Sequence, residues 1–276
     1  MSGALKPAIV HPTDFSPTSE LAFAHALRLA VAMRARLDIL HVEGAGESEE
    51  GPPWERFPGV RETLARWCLL PENAPQSAVR DVLGVDVTKV DLREESVVGA
   101  VGDFVHERGA DLLVLGTHGR EGLTRWMDGS VAERIAHRLR VPTLFVSGHA
   151  SGFVEPATGA LKLARVLVPV DRHPDPVPAI RRLVGILRGI DAHPRDIRLL
   201  HVGDNAPALG TGGGLVVERR DGQVVETLLE AALDADLVAM PTEGHHGFLD
   251  AMRGSTTERI VRRAPCPVLA IPVEDD

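Results

Sequence analysis

The stretch that decides the fold is DLLVLGTHGREGLTRWMDGSVAERIAHRLRVPTLFV, residues 111–146. It opens with a short apolar run at 112–115, which is typical of a fully buried strand. Two glycines, Gly116 and Gly119, then predict a turn, and we expect Gly116 to adopt a positive φ there. An amphipathic helix follows, and the stretch closes on a second apolar run after Pro142. This order of strand, loop, helix and strand is typical of an α/β fold.

The glycines of this stretch have the spacing G-x2-G-x9-G-S, in which Gly129 and Ser130 begin the helix. The spacing brings a turn at the carboxyl end of a strand close to a helix amino terminus. In an open α/β sheet, ligands bind in that crevice, and the unpaired N–H groups of the helix favour a phosphate. Ser130 also fits a capping box with Glu133, a role that leaves its hydroxyl proton available to a phosphate.

The composition fits an ordinary globular protein and argues against several classes. The 276 residues are 44% hydrophobic and 25% charged, with a formal net charge of −9, which does not suit a nucleic-acid partner. Tyr is absent, so stacking platforms for bases are not expected. Two Cys make neither a disulfide framework nor a cysteine zinc site. Since the chain has no signal-peptide pattern and no apolar run of about 20 residues, we expect a cytoplasmic protein without a membrane partner.

The first half of the chain alternates strands with helices. Apolar runs predict three further strands, at 7–11, 37–42 and 85–92. Helical patterns follow at 16–31, with Ser16 as N-cap and Pro17 in the first turn, and then at 60–70, near 76–83 and at 96–108. Residues 44–58 are acidic and rich in Gly and Pro, which predicts a loop. The order β-α-β-α-β-α-β-α-β with right-handed crossovers predicts a doubly wound, five-stranded parallel sheet.

The same pattern begins again in the second half. Residues 236–271 align with 111–146 without gaps, and 14 of the 36 positions are identical. The chain is therefore an internal duplication. Residues 148–162 are a linker by composition, so we assign one domain to 1–147 and a second to 163–276.

The second copy is shorter and its glycine motif is partly degenerate. It lacks 32 residues between its first and fourth strands, where 203–214 form a glycine-rich connection. We expect one helix to be absent there, which leaves an apolar sheet face for a partner or the other domain. Pro241 replaces Gly116 and removes an N–H donor, and Glu243 replaces His118. A weaker second site would consist of Pro169, Asp171, Val202, Met240, Gly244, Gly254, Ser255 and Thr256.

At these residues the chain resembles the universal stress proteins, in their tandem two-domain form. The glycine motif carries the resemblance, together with an Asp at the end of the first strand in the string Pro12-Thr13-Asp14-Phe15-Ser16. The resemblance covers both copies, at 5–147 and 163–273. It implies that, as in members that bind ATP, Asp14 and its neighbours hold the adenosine and Val42 packs on the adenine. The glycine motif would wrap the phosphates, often with a divalent cation.

The resemblance therefore implies a nucleotide site in the first copy. Its residues are Pro12, Thr13, Asp14, Val42, Leu115, Gly116, Thr117, His118, Gly119, Gly129, Ser130 and Val131. Asp14 has the alternative role of a turn residue or helix cap. A single carboxylate is a weak metal ligand, so Mg²⁺ would bind through the nucleotide phosphates rather than through the protein alone.

These observations predict a stress-response regulatory protein that binds an adenine nucleotide, with ATP as the first choice. A nucleotide-independent module that binds a protein partner is one alternative. A slow ATPase is another, but the motif has no base, paired carboxylates or Walker lysine, so we expect weak hydrolysis at most. Single-domain relatives typically dimerise through their last strands. Here 143–146 and 268–271 are expected to pair within one chain as an internal pseudo-two-fold, and a further homodimer is compatible with this arrangement.

Overall fold

The structure, a computed structural model, describes residues 6–43, 54–117, 141–209, 216–243 and 256–273. These residues form one sheet of ten strands in the order β3-β2-β1-β4-β5-β10-β9-β6-β7-β8. The first copy supplies β1 (Ala8–Pro12), β2 (Arg36–Glu43), β3 (Asp86–Arg93), β4 (Leu112–Thr117) and β5 (Thr143–Ser147). The second supplies β6 (Arg165–Pro169), β7 (Asp196–Val202), β8 (Val217–Arg220), β9 (Leu237–Glu243) and β10 (Val268–Val273).

Helices connect the strands much as the sequence predicts. The described helices are α1 (Pro17–Met33), α2 (Val60–Arg66), α3 (Ala78–Asp81), α4 (Val97–Glu107), α5 (Pro176–Gly189), α6 (Val224–Ala232) and α7 (Thr256–Arg263). The predicted N-cap of α1 is confirmed, because the Ser16 hydroxyl accepts a hydrogen bond from the Ser19 N–H at 3.2 Å. Ser96 caps α4 in the same way, through the Gly99 N–H at 3.1 Å. Both caps satisfy donors that a helix start leaves unpaired.

Each copy is a parallel, doubly wound sheet, which confirms the predicted fold class. The chain moves outward from β1 through β2 to β3 and then returns to β4 on the other side of β1. The second copy repeats this order from β6 to β10. The repeat extends to single hydrogen bonds. The Asp111 carboxylate accepts the Ala8 N–H at 2.8 Å, and the Asp236 carboxylate accepts the N–H of the equivalent residue, Arg165, at 2.8 Å.

The two copies meet where β5 pairs with β10. This is an antiparallel pair, in which Leu269 lies opposite Leu144 and Val268 opposite Phe145. The predicted pairing of the two last strands within one chain is confirmed. Both leucines are almost fully buried in a core cluster that draws residues from both copies. The sheet and its core are therefore continuous across the duplication.

The segment between the copies is packed against the first copy. Val154 and Leu161 form an antiparallel bridge, and Val154 is buried. The Trp67 indole N–H donates to the Pro156 carbonyl at 2.9 Å. In α1, Nδ1 of His25 lies 2.8 Å from the Leu21 carbonyl oxygen. Nε2 of the same ring accepts the Val154 N–H at 3.3 Å. The sequence-predicted linker therefore packs on the first copy through part of its length, where Phe153 and Val154 are buried.

The connection that follows β7 in the second copy is short, and the sequence predicts that it lacks a helix. Its described part, residues 203–209, contains no helix, although Leu209 packs against the main core cluster. The sheet face at this point is therefore partly covered by the connection itself. No helix in the described ranges is both long and apolar enough to cross a membrane.

Candidate functional site

The candidate site lies where the strand order of the first copy reverses. β1 has β2 on one side and β4 on the other, and all three strands are parallel. Their carboxyl ends therefore share one edge of the sheet, where Pro12, Val42 and Thr117 lie at or near the strand ends. The Thr13 N–H donates to the Leu40 carbonyl at 2.8 Å, which ties the segment after β1 to β2. Such a switch point is the usual ligand crevice of an open α/β sheet.

A compact hydrogen-bonded turn follows β1. The Thr13 hydroxyl oxygen accepts the Phe15 N–H at 3.1 Å and the Ser19 hydroxyl at 2.9 Å. The Asp14 carboxylate accepts the Ser16 N–H at 3.1 Å, and Asp14 is exposed. Asp14 is thus a turn residue, which is the alternative role that the sequence allows. Its carboxylate is also exposed at the switch edge, the edge of the sheet where β1, β2 and β4 end. The two roles coexist, because one carboxylate has more than one acceptor position.

Within this turn, the backbone of Phe15 has a left-handed conformation. Its φ is 60°, which for a side chain of this size costs on the order of 1–2 kcal/mol. Its ring centroid lies 4.3 Å from that of His41, and the Arg56 guanidinium carbon lies 4.6 Å from the Phe15 centroid. His41 in turn contacts the Thr13 carbonyl through Nδ1 at 2.9 Å. The sequence analysis missed Phe15 and Arg56, although an aromatic residue directly after Asp14 was an available signal in a chain poor in aromatics.

Gly116 belongs to the strand, and the predicted positive φ is wrong. β4 continues through Gly116 to Thr117, and the glycines with positive φ in the described residues lie elsewhere. A Cβ on Gly116 would lie 3.0 Å from the Thr18 carbonyl oxygen and 3.1 Å from the Ser19 N and Cα. The first turn of α1 therefore packs directly on β4. Glycine is needed here for this close approach of two backbones.

Gly116→Ala is expected to lower the free energy of unfolding by about 1–2 kcal/mol, because the added methyl must displace backbone rather than a mobile side chain. Urea denaturation followed by circular dichroism measures the change. Gly185→Ala is the matched control. Gly185 lies inside α5, and a Cβ there would meet nothing within 4 Å, so this change should stabilise the protein by roughly 1 kcal/mol. Equal effects of the two substitutions would contradict the packing argument.

The remaining predicted residues of the first site divide into two groups. Val42 is buried in the cluster of apolar side chains beneath α4, and Leu115 is half-buried. Burial does not test contact with a ligand, so the contact between Val42 and an adenine stays a prediction. His118, Gly119, Gly129, Ser130 and Val131 lie outside the described residues.

A buried histidine lies under the turn. His11, on β1, is fully buried, and its Nδ1 lies 3.0 Å from the Val114 carbonyl. Burial lowers the pKa of His11 to about 4, so the ring is neutral at neutral pH. Sequence reasoning did not select His11, because an isolated histidine in an apolar strand gives no signal of its own.

The equivalent turn of the second copy is built differently. Its carboxylate, Asp171, accepts the N–H of its own neighbour Arg172 at 2.7 Å and lies 3.8 Å from Nδ1 of His201. Arg172 stands where Phe15 stands in the first copy. His201 contacts the Val170 carbonyl at 3.0 Å, which repeats the contact of His41 with Thr13. The contact between the histidine and the turn is thus the same in both copies. The packing of an aromatic ring, that of Phe15, against His41 and Arg56 is found in the first copy.

The other residues of the second candidate site are only partly described. Pro169 and Val202 end β6 and β7, Met240 lies buried in β9, and Thr256 begins α7. Pro241 is accommodated in β9 opposite Ile271. Gly244, Gly254 and Ser255 lie outside the described residues. In the described part of the chain, no cluster of three or more His, Cys, Asp or Glu could hold a metal ion.

Comparison with known proteins agrees with this architecture. The family model described as "Universal stress protein family" matches residues 7–147 and 210–272, well over half of the chain. A universal stress protein of Mycolicibacterium smegmatis is 26% identical over 303 residues, covering 98% of this chain and 99% of its own.

A solved structure that spans both copies agrees at the level of the fold. A universal stress protein from Archaeoglobus fulgidus DSM 4304 covers 97% of this chain and 98% of its own, with 17% identity and a TM-score of 0.60. A universal stress protein in complex with cAMP covers 52% of this chain and 98% of its own, with 21% identity and a TM-score of 0.32.

Proposed function

The chain belongs to the universal stress protein family, and from this membership we propose that its first half binds an adenine nucleotide, ATP above others, as a regulatory ligand. The observation that carries the proposal is the switch edge of the first copy. There the turn after β1, the end of β2 and the end of β4 lie side by side. An exposed carboxylate and backbone groups at one edge suit a ribose and a phosphate chain.

The roles follow from the chemistry of each group. The Asp14 carboxylate would accept hydrogen bonds from the ribose hydroxyls, and Val42 and Leu115 would offer apolar contact to the base. Thr117 and the glycines that follow it would lie along the phosphates, and Mg²⁺ would bind chiefly through phosphate oxygens. The turn that carries Asp14 is held by the ring of Phe15 between His41 and Arg56. This pre-organisation reduces the ordering that ligand binding would otherwise require.

The second half is proposed to bind more weakly. Asp171 lies 3.8 Å from Nδ1 of His201. Arg172 takes the place of Phe15, so the described part of the second copy has no phenylalanine ring beside this turn. Pro241 also has no N–H to offer. The proposal is therefore one principal nucleotide site for each chain.

Asp14→Asn is expected to weaken ATP binding by about tenfold or more, since a hydrogen bond to a charged group contributes roughly 1.5–3 kcal/mol. Isothermal titration calorimetry on the full chain, with and without Mg²⁺, measures the affinity and the number of sites. Asp171→Asn is the matched control and should leave the principal site unchanged. Equal losses in the two variants would contradict the assignment to the first copy.

Failure of the wild-type chain to bind ATP saturably, with no adenine nucleotide in extracts of the purified protein, would overturn the proposal. Competition by ADP and cAMP defines which adenine nucleotide fits best. ADP release in the same samples separates a binding protein from a slow ATPase. A regulatory protein predicts tight binding with turnover close to background.

A further inference from the structure

The strand β3 forms an open edge of the sheet on the side of the first copy. Among the strands that the structure describes it pairs with β2 alone, and each of its residues is half-buried or exposed. The Asp86 N–H donates to the Ala35 carbonyl at 3.3 Å and the Glu94 N–H donates to the Glu43 carbonyl at 3.1 Å. The backbone groups of successive residues in a strand point to alternate sides. Val87, Lys89 and Asp91 therefore direct their N–H and C=O groups away from β2, where no hydrogen bond from another described residue reaches them.

A groove runs beside this edge. It is a cavity of 780 Å³ between β3, α2 and the segment of α3. Val60, Val79, Val85 and Val87 give it an apolar floor, and Arg61, Glu62, Arg80, Asp86 and Lys89 carry its charges. An edge strand flanked by helices leaves room for one additional strand, whose alternate side chains would enter the groove.

Two cations of the groove, Arg61 and Lys89, form no ion pair with a carboxylate in the described part of the chain. Asp86 is bound by Lys6 at 2.6 Å and Arg80 at 3.1 Å. Glu62 folds back toward the start of its own helix, with Oε2 2.7 Å from the position of a Cβ on Gly59.

Among the described residues, neither Arg61 nor Lys89 has a carboxylate oxygen within 4.0 Å. The Lys89 ammonium lies 5.8 Å from the Phe57 ring centroid, and partial burial lowers the pKa of Lys89 more than the charge of nearby Glu62 raises it. An incoming carboxylate would restore the solvation that this ammonium has lost.

We infer that this groove, lined by β3, α2 and α3, binds an extended acidic peptide segment of a partner protein by strand addition to β3. The outward groups of Val87, Lys89 and Asp91 supply the backbone hydrogen bonds. Arg61 and Lys89 receive carboxylates from the alternate positions whose side chains enter the groove, and the valines contact the methylene groups of these same side chains. Phe57 lies near both Lys89 and Phe15, but no residue that lines the groove belongs to the candidate nucleotide site, so peptide binding does not require the nucleotide.

The test uses the full chain and a fluorescein-labelled peptide, Glu-Val-Glu-Val-Glu-Val, with Lys-Val-Lys-Val-Lys-Val as its basic counterpart. Fluorescence anisotropy should give saturable binding of the acidic peptide, at least tenfold tighter than that of the basic one, with an affinity that falls as salt is raised. Val87→Pro removes an outward N–H together with the valine side chain, in a position where edge strands tolerate proline, and should weaken binding at least tenfold. Lys89→Gln should do the same through lost charge, which keeps the test decisive if the proline variant does not fold.

Lys162→Gln is the control, because Lys162 is an exposed lysine of the segment between the copies and its loss should leave binding unchanged. Asp14→Asn should also leave peptide binding unchanged, so failure of the nucleotide proposal and failure of this one are distinguishable. The inference is overturned by absence of saturable binding, by equal binding of both peptides, or by wild-type affinity in both groove variants. Self-association of the chain that Val87→Pro abolishes would assign the edge to a second copy and also overturn it.

Discussion

Lowering the pH from 7 to 5 is expected to reduce the free energy of unfolding by about 4 kcal/mol, since two buried histidines each contribute about 2 kcal/mol. His11 and His25 are almost fully buried, and burial lowers the pKa of each from 6.5 to about 4. The unfolded chain therefore takes up protons before the folded chain does. The stabilisation is fully present above pH 6.5 and is lost as the pH falls toward 4. Urea denaturation at a series of pH values measures it.

The control compares the loss of a buried histidine with the loss of an exposed one. His25→Gln should remove about half of the pH dependence, because one of the two titrating groups is gone. His106 lies exposed on α4, and His106→Gln should leave the pH dependence as it is. A free energy of unfolding that stays constant between pH 7 and pH 5 would contradict the burial of neutral imidazoles.

Leu144→Ala and Leu269→Ala are each expected to destabilise the protein by about 3 kcal/mol, because each removes a nearly fully buried side chain from a packed core. The two leucines lie opposite each other across the pairing of β5 with β10. In the double variant the loss should fall short of the sum by about 1 kcal/mol, since the second truncation removes contacts that the first has already lost. Chemical denaturation of the four proteins gives the coupling energy.

Leu37 supplies the comparison pair. It is fully buried in β2, three strands away from β5. Leu144→Ala combined with Leu37→Ala should be additive within about 0.5 kcal/mol. Additivity of the Leu144 and Leu269 substitutions would mean that the two last strands do not meet within one chain.

The features that sequence analysis anticipated are those encoded by local strings that occur twice. The alternation of strands and helices predicted the five-strand plan of each copy. The resemblance to single-domain relatives that dimerise through their last strands implied the pairing of the last strands. The string Leu-His-Val also recurs, at 40–42 and 200–202. The structure adds a role that was not predicted, because its histidine contacts the carbonyl of the residue before Asp14 or Asp171 in both copies. A string that occurs twice can be recognised from the sequence, because it has the same structural role in both copies.

The features that were missed depend on contacts between distant parts of the chain. The role of Gly116 is set by the approach of α1, about a hundred positions earlier in the sequence. No turn rule contains that information. The left-handed conformation of Phe15 depends on Arg56 and His41, and a large side chain at such a φ runs against local preference. The order of residues 148–162 depends on the bonds of Val154 and Pro156 to His25 and Trp67, whereas composition alone predicts a linker.

The pairing of β5 with β10 also bears on how the two halves could diverge. In an assembly of separate identical subunits, every site has the same sequence and any loss affects all of them. Here the two halves are joined through an ordered segment, so their association is intramolecular and does not depend on protein concentration. Each half also closes the other's open strand, which leaves no free β5 or β10 edge for exchange with a single-domain relative. The second half can therefore lose a ligand site while it keeps its structural role, and one chain can combine a binding half with a supporting half.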